Sequence, residues 1–168
     1  MKNRILELEP DFSFLTLEQI PLTLLVQEKI KALILDLDNT ITLWNFMEVS
    51  QQVTNWIGSV KQADIAVYII SNNSAKRVEP VARLLALPYI YFANKPSIKG
   101  LLKVQDQLEL ASEQIAMIGD QIFTDILAGK RAGFRTILLA PLGKHEFFGT
   151  KISRLGEKIL KRIWEAAR

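Results

Sequence analysis

The stretch Lys31-Ala-Leu-Ile-Leu-Asp36-Leu-Asp-Asn-Thr40 decides how the chain is read. Its apolar half is continuous rather than alternating, the pattern of a strand covered on both faces inside a parallel sheet. Its second half puts two carboxylates, Asp36 and Asp38, directly after that buried run. Four further runs repeat the apolar pattern: Ile65-Ala-Val-Tyr-Ile-Ile70, Tyr89-Ile-Tyr-Phe92, Ile115-Ala-Met-Ile118 and Thr136-Ile-Leu-Leu139. Amphipathic stretches over 48–62, 75–86, 97–110 and 122–132 separate them, the last closed by Gly133 as a left-handed cap. Pro80 inside the second stretch predicts a late start or a kink. Strand–helix alternation of this kind predicts an α/β fold, a mainly parallel five-stranded sheet between two helical layers with right-handed crossovers. The site of such a fold lies at the carboxyl ends of its strands.

The flanks extend this reading. A helical lead-in is expected over residues 1–30, with Thr16-Leu-Glu-Gln19 as a capping box and Pro21 in the first turn of a restarted helix. A basic amphipathic helix is expected over 150–168, from Ile152, Leu155, Ile159, Leu160, Ile163 and Trp164 at helical spacing. Residues 144–168 carry seven Lys or Arg against three Glu, so the chain's basic excess is concentrated there.

Composition narrows the chemistry. At 168 residues, 49% hydrophobic and 23% charged, the chain has the length and balance of one globular domain. It has no Cys and a single His, His145, which excludes disulfides, thiolate metal sites and a Cys nucleophile and disfavours a Ser-His-Asp triad. A net charge of +3 is too mild to argue for a nucleic-acid partner, and none is expected. The start, Met1-Lys2-Asn3-Arg4, leads into Glu7, Glu9, Pro10 and Asp11 rather than an apolar core segment. No apolar run approaches the roughly 18 residues that span a bilayer. An intracellular, cytoplasmic protein that does not cross a membrane is expected.

The strand ends carry the function. After the first come Asp36, Asp38 and Thr40; after the second, Ser71-Asn72-Asn73; after the third, Lys95-Pro96; after the fourth, Gly119-Asp120 and then Asp125. An isolated Asp-x-Asp is more often an ordinary turn. Four consecutive strands delivering carboxylates, a hydroxyl and an ammonium to one sheet edge are not explained that way. Clustered carboxylates without His or Cys favour a hard divalent cation, Mg²⁺ first. A cation and a Lys neutralise a phosphate that the carboxylates would repel. One Asp then attacks phosphorus, and a second protonates the departing oxygen and later activates water.

These motifs resemble the haloacid dehalogenase (HAD) superfamily of aspartate-nucleophile phosphatases, most closely the YqeG-type phosphatases of subfamily IIIA. The resemblance rests on Asp36-Leu-Asp-Asn-Thr40 with Trp44-Asn45, Ser71-Asn72-Asn73 with Arg77-Val78, and Ala93-Asn94-Lys95-Pro96. Gly119-Asp-Gln-Ile-Phe-Thr-Asp125 with Gly129 and Arg131, then Pro141 and Thr150, complete it. The resemblance implies a Rossmann-like HAD fold with Asp36 as nucleophile and metal ligand, and Asp38 as acid/base and metal ligand through its carbonyl. It implies catalytic roles for Ser71 and Lys95 in orienting and neutralising the phosphate, with Thr40 and Asn72 substrate-binding. Asp120 and Asp125 complete the Mg²⁺ site.

Thirty-five residues from Asp36 to Ser71 and twenty-four from Ser71 to Lys95 are consumed by one helix and one strand each, so neither gap holds a cap domain. An open site suits a phosphate carried on something large or on a surface. Similarity to phosphatidylglycerophosphate phosphatases makes that lipid phosphate the leading substrate. The C-terminal segment either packs its apolar stripe, 152–164, on the sheet with its cations as a solvated face, or turns those cations to an anionic membrane in peripheral contact. A soluble, nucleic-acid or protein phosphoester is the alternative, and a binding protein on a disused scaffold is the third reading. His145 reads as a surface residue, Trp56 and Trp164 read as core, and Trp44 and Phe46 read as packing or as lining the mouth of the site.

Overall fold

Ala32–Leu35 forms strand β2, all four residues buried. The reason is visible in its pleat. Leu33 and Leu35 face one hydrophobic layer while Ala32 and Ile34 face the other, because successive side chains of a strand point to opposite faces. The computed structural model describes residues 8–143 and residue 160. Around β2 lies a six-stranded, wholly parallel sheet in the order β1-β6-β5-β2-β3-β4. The strands are β1 (Phe12–Phe14), β2, β3 (Ala66–Ile70), β4 (Tyr89–Ile90), β5 (Ile115–Gly119) and β6 (Arg135–Leu139). Helices α1 (Leu22–Gln27), α2 (Gln51–Gln62), α3 (Ala75–Leu85), α4 (Lys99–Leu108) and α5 (Leu127–Ala132) connect them.

Two cores result. Trp56, Ile57 and Val60 of α2 and Val78, Val81 and Leu85 of α3 cover one face of the sheet. Leu101 and Val104 of α4 and Ala128 and Ala132 of α5 cover the other. Trp56 is core, as expected, and its indole N–H donates to the carbonyl of Ile20 at 2.9 Å. Leu35 lies opposite Ile69 on one side and Ile118 on the other, so β2, β3 and β5 end level with each other. Between β2 and β3 there is one loop and α2, and between β3 and β4 only α3 and its turns. No cap domain interrupts either crossover.

Several expectations needed correction. The sheet has six strands rather than five, because Phe12–Phe14 pairs with β6 inside the segment read as a helical lead-in. Three residues are too short to show a period, and a tether outside the strand holds them. Asp11 accepts hydrogen bonds from the backbone N–H and hydroxyl of Thr136, at 2.8 and 2.7 Å, and pairs with Lys130 at 2.9 Å. Thr16 precedes a single 3₁₀ turn, Leu17–Gln19, without capping it through its side chain, and Pro21 is the N-cap of α1 rather than part of its first turn. Helix α3 begins at Ala75 and runs through Pro80, so it does not start late. The stretch expected to run helically over 122–132 is a π-turn at Ile122–Ile126 followed by α5, closed by Gly133 in the left-handed conformation (φ 75°). The third strand stops at Ile90 rather than Phe92.

The basic helix expected over 150–168, with Thr150, Trp164 and nearby His145, lies outside the described residues apart from Leu160. Leu160 is helical and buried against Ile122, Ile126 and Leu138.

Asp11 also provides a pH signature. Burial works to raise its carboxyl, but Lys130 and the Thr136 donors outweigh this and hold it below its ordinary value. A depressed native pKa contributes stability above the unfolded value near 3.8, lost as pH falls through the native one. Asp11→Ala should therefore cost on the order of 2 kcal/mol at neutral pH, about 4–8 °C for a chain of this size. Thermal melts of both proteins should converge below about pH 3.

Candidate active site

Charged side chains buried at the ends of β2, β4 and β5 define the site. Asp36 follows β2, Lys95 follows β4, Asp120 follows β5, and Asp125 lies in the π-turn beyond it; all four are buried. The Lys95 ammonium has three protons and three acceptors. It pairs with Asp36 Oδ1 at 2.5 Å and Asp125 Oδ1 at 2.7 Å, and donates to the carbonyl of Ile70 at 3.0 Å. Its backbone is clamped as well. Asn72 accepts from the Lys95 N–H at 2.6 Å through Oδ1 and donates to the Lys95 carbonyl at 3.0 Å through Nδ2.

Asp125 reaches this position because β5 ends in glycine. A Cβ on Gly119 would stand 2.2 Å from Asp125 Oδ2 and 2.5 Å from its Cβ. The π-turn supplies the rest, since the Gln121 N–H donates to Asp125 Oδ2 at 3.1 Å.

Asp38 is held by a different cation. Arg77 of α3, itself buried, donates to Asp38 Oδ1 from Nε at 3.0 Å and Nη2 at 2.8 Å. The Asn73 amide donates to Oδ2 at 3.3 Å. The same guanidinium donates from Nη2 to the Leu43 carbonyl at 3.2 Å and lies 3.4 Å from Met47 Sδ. It thereby joins Asp38 to the loop after β2. Ser71 Oγ accepts from the Asn73 N–H at 3.0 Å, which fixes the turn after β3.

These groups open onto a cavity of about 400 Å³ lined by Asp36, Asp38, Ser71, Asn72, Lys95 and Asp125, with Asn39, Trp44, Asn45, Asn73, Gln121 and Thr124. The sequence-predicted residues are thus brought together, though Asp120 sits beside Asp36 and Asp125 without itself lining the cavity and two others need comment. Thr40 is fully buried, does not line the cavity, and its hydroxyl lacks a hydrogen-bond partner. The Asn72 side chain is engaged with the backbone of Lys95. Sequence reasoning assigned no role to Arg77 or Asn73. The signal was present, since Arg77 stands beside the Ser71-Asn72-Asn73 motif in the first turn of α3, but no periodicity rule points it at Asp38. Trp44 lines the cavity, the second of its two readings, and Phe46 is exposed rather than packed.

One oxygen from each of Asp36, Asp120 and Asp125 can lie within 4.8 Å of the others, all three residues being buried. Three buried carboxylates meet here and two of them share one ammonium, a crowding of charge that burial penalises unless a further cation or a proton joins it. All-oxygen donors of this kind fit a hard dication. The Asp36 carboxyl is raised to about 7, because burial and the neighbouring Asp125 and Asp38 outweigh the downward pull of Lys95. For Lys95, burial alone would lower the ammonium, but Asp125 and Asp36 hold it above its ordinary value.

Comparison with known proteins places the chain among phosphatases. The family described as mitochondrial PGP phosphatase matches residues 1–85, and the one described as HAD-hydrolase-like matches residues 92–146. The chain is 36% identical to the probable phosphatase YqeG of Bacillus subtilis over 80% of its own length and 78% of that protein. It is 29% identical to phosphatidylglycerophosphate phosphatase 1, chloroplastic/mitochondrial, of Arabidopsis thaliana, over 91% of this chain but only 47% of the plant protein. Among solved structures, it resembles the cobalt-bound deoxy-D-mannose-octulosonate 8-phosphate phosphatase of Haemophilus influenzae. There the TM-score is 0.56 at 19% identity, over 67% of this chain and 69% of that one, a likeness of fold.

Two predictions follow from the geometry. Gly119→Ala should push Asp125 away from Lys95 and weaken stabilisation by Mg²⁺ at least tenfold in concentration, about 1.4 kcal/mol, read from thermal shifts across a Mg²⁺ titration. The second concerns pH. Between about pH 4 and 7, native Asp36 binds a proton that the unfolded chain has lost, so this group's contribution to stability falls as pH rises through that window. A dication bound at these carboxylates would take the place of that proton. The Tm increase caused by Mg²⁺ should therefore be larger at about pH 8 than at about pH 5.5.

Proposed function

The chain belongs to the HAD-like phosphatases of the YqeG type, and from that premise we propose a metal-dependent phosphomonoesterase that works through a phosphorylated Asp36. The observation that carries the reading is the cluster of three buried carboxylates, two of them paired with the ammonium of Lys95, with Asp38 held apart on Arg77. Asp36, Asp120 and Asp125 would hold Mg²⁺, with the Asp38 carbonyl. The bound cation would supply charge neutralisation for the incoming phosphate.

Asp36 attacks phosphorus, the bond to the leaving oxygen breaks, and Asp38 gives that oxygen its proton. Asp38 then takes a proton from water as the water attacks phosphorus, releasing phosphate and regenerating the Asp36 carboxylate. Lys95 holds Asp36 in place and offsets charge on the phosphoryl oxygens, while Ser71 shapes the turn on which those oxygens rest. Asp38 suits its role because its cation is not the one shared by Asp36 and Asp125.

The favoured substrate is phosphatidylglycerophosphate. Support comes from the family match over residues 1–85, the similarity to phosphatases named for that lipid, and crossovers with no cap to exclude a bulky substrate. On this reading the protein is a cytoplasmic enzyme working at the membrane face. The same catalytic groups would also serve a soluble phosphoester, the second reading.

A substrate panel separates them. Phosphatidylglycerophosphate, sugar phosphates, nucleotides and a phosphopeptide are compared for kcat/KM, with and without Mg²⁺. The lipid phosphate should lead the panel, chelation should stop turnover, and Ca²⁺ should restore it poorly. Asp36→Asn should abolish turnover in a folded protein, and Asp38→Asn should lower it roughly 10²–10⁴-fold. Chelator-resistant turnover, or full activity in Asp36→Asn, would overturn the mechanism. A soluble phosphate hydrolysed far faster than the lipid would overturn the substrate alone.

A further inference from the structure

Large apolar side chains left exposed among the described residues are concentrated at one end of the sheet. Leu43, Phe46 and Met47 follow β2, Tyr91 and Phe92 follow β4, and Leu142 follows β6, all between 38 and 58% exposed. By contrast, Val26, Leu84 and Leu102 sit singly on three different helices.

Hydrogen bonds tie each of these loops to the catalytic cavity. The Leu43 carbonyl accepts from Arg77, whose guanidinium also holds Asp38 and touches Met47. The Phe92 N–H donates to the carbonyl of Asn73 at 2.9 Å, and the Leu142 N–H donates to the carbonyl of Asn39 at 3.2 Å; Asn73 and Asn39 both line the cavity. The six side chains therefore form an apolar lip around a polar mouth. Phe92 adds a second observation. Its φ of 47° places a bulky aromatic residue in the left-handed region, and the ring projects largely exposed, edge-on to Tyr91 at 5.6 Å. Strain of that kind persists where surrounding structure imposes it, commonly at functional sites.

We propose that this lip is a membrane-docking surface, through which the enzyme seats its catalytic mouth on the interfacial layer of a bilayer. The proposal rests on the lipid-phosphate reading and extends it to the surface that delivers the substrate. Its warrant is the division of polarity. The cavity is lined by Asp, Asn, Ser, Lys, Gln and Thr side chains apart from Trp44, with Lys95 buried at its floor. The lip is aliphatic and aromatic. An amphiphile entering phosphate first would put its charge on Lys95 and leave its acyl chains against Phe46, Met47 and Phe92. Aromatic and aliphatic groups on projecting loops partition into the headgroup boundary, and contiguous exposed apolar surface marks an interaction site.

The absence of cysteine makes the test clean. Single Phe46→Cys, Phe92→Cys and Leu84→Cys variants, each in an Asp36→Asn background, are labelled with a polarity-sensitive dye. They are mixed with vesicles of phosphatidylcholine and phosphatidylglycerol. The dye should move to an apolar environment at positions 46 and 92 but not at 84. The shift should survive about 0.5 M salt, where screening removes purely electrostatic adsorption.

In the otherwise unaltered chain, Phe46→Ser with Phe92→Asn should weaken vesicle binding roughly tenfold or more. Turnover of soluble para-nitrophenyl phosphate should remain unchanged. Undiminished vesicle binding by that double variant would overturn the proposal. So would equal dye shifts at all three positions, or shifts that track protein concentration without vesicles and thus report self-association. Vesicle binding through the lip without hydrolysis of phosphatidylglycerophosphate would leave the lip standing and remove the substrate. Hydrolysis of dispersed short-chain phosphatidylglycerophosphate without vesicle binding would do the reverse.

Discussion

The ammonium of Lys95, buried between Asp36 and Asp125 with Asp120 close by, is the constraint around which the rest of the protein is arranged. Burying carboxylates beside one another is unfavourable unless cations and hydrogen bonds offset it. Each local peculiarity at this end of the sheet contributes to the offset. The Asn72 amide fixes the backbone that carries Lys95. Gly119 leaves room for the Asp125 carboxylate, and the π-turn turns it inward. The parallel sheet sets β2, β3 and β5 level, so that groups far apart in sequence meet at one point.

A second cation keeps the neighbouring acid separate. Asp36 and Asp38 are two residues apart, yet one pairs with Lys95 and the other with Arg77. Two carboxylates in different environments are suited to different tasks, which in the proposed mechanism are those of nucleophile and proton carrier. Arg77 extends the arrangement outward, since it also holds the Leu43 carbonyl. The loop bearing the exposed Phe46 is therefore fixed to the same guanidinium that orients Asp38. Catalytic centre and rim are mechanically continuous.

Much of this was legible in the sequence, for identifiable reasons. Continuous apolar runs revealed the central strands because a strand covered on both faces cannot alternate. The carboxylates, Ser71 and Lys95 were legible because the fold class says which ends of those strands carry chemistry. What escaped had no periodic signature. Three-residue β1 depends on the Asp11–Thr136 contact, 125 positions apart in the chain. The π-turn differs from an α-helix by one hydrogen-bond register, which hydrophobic spacing does not record. Arg77 reads as an ordinary helical cation until the fold brings Asp38 to it. Thr40 was expected at the phosphate and is instead fully buried, outside the cavity lining.

The central claim is that Asp36 becomes covalently phosphorylated with the help of a dication at these carboxylates. Acid quenching during steady turnover, reduction with borohydride and peptide mass analysis test it directly. A phosphorylated aspartate is converted to homoserine by this treatment, whereas a free carboxylate is not. The account predicts homoserine at position 36, formed only when both substrate and Mg²⁺ are present. Conversion at another aspartate, or none during demonstrated turnover, would contradict it.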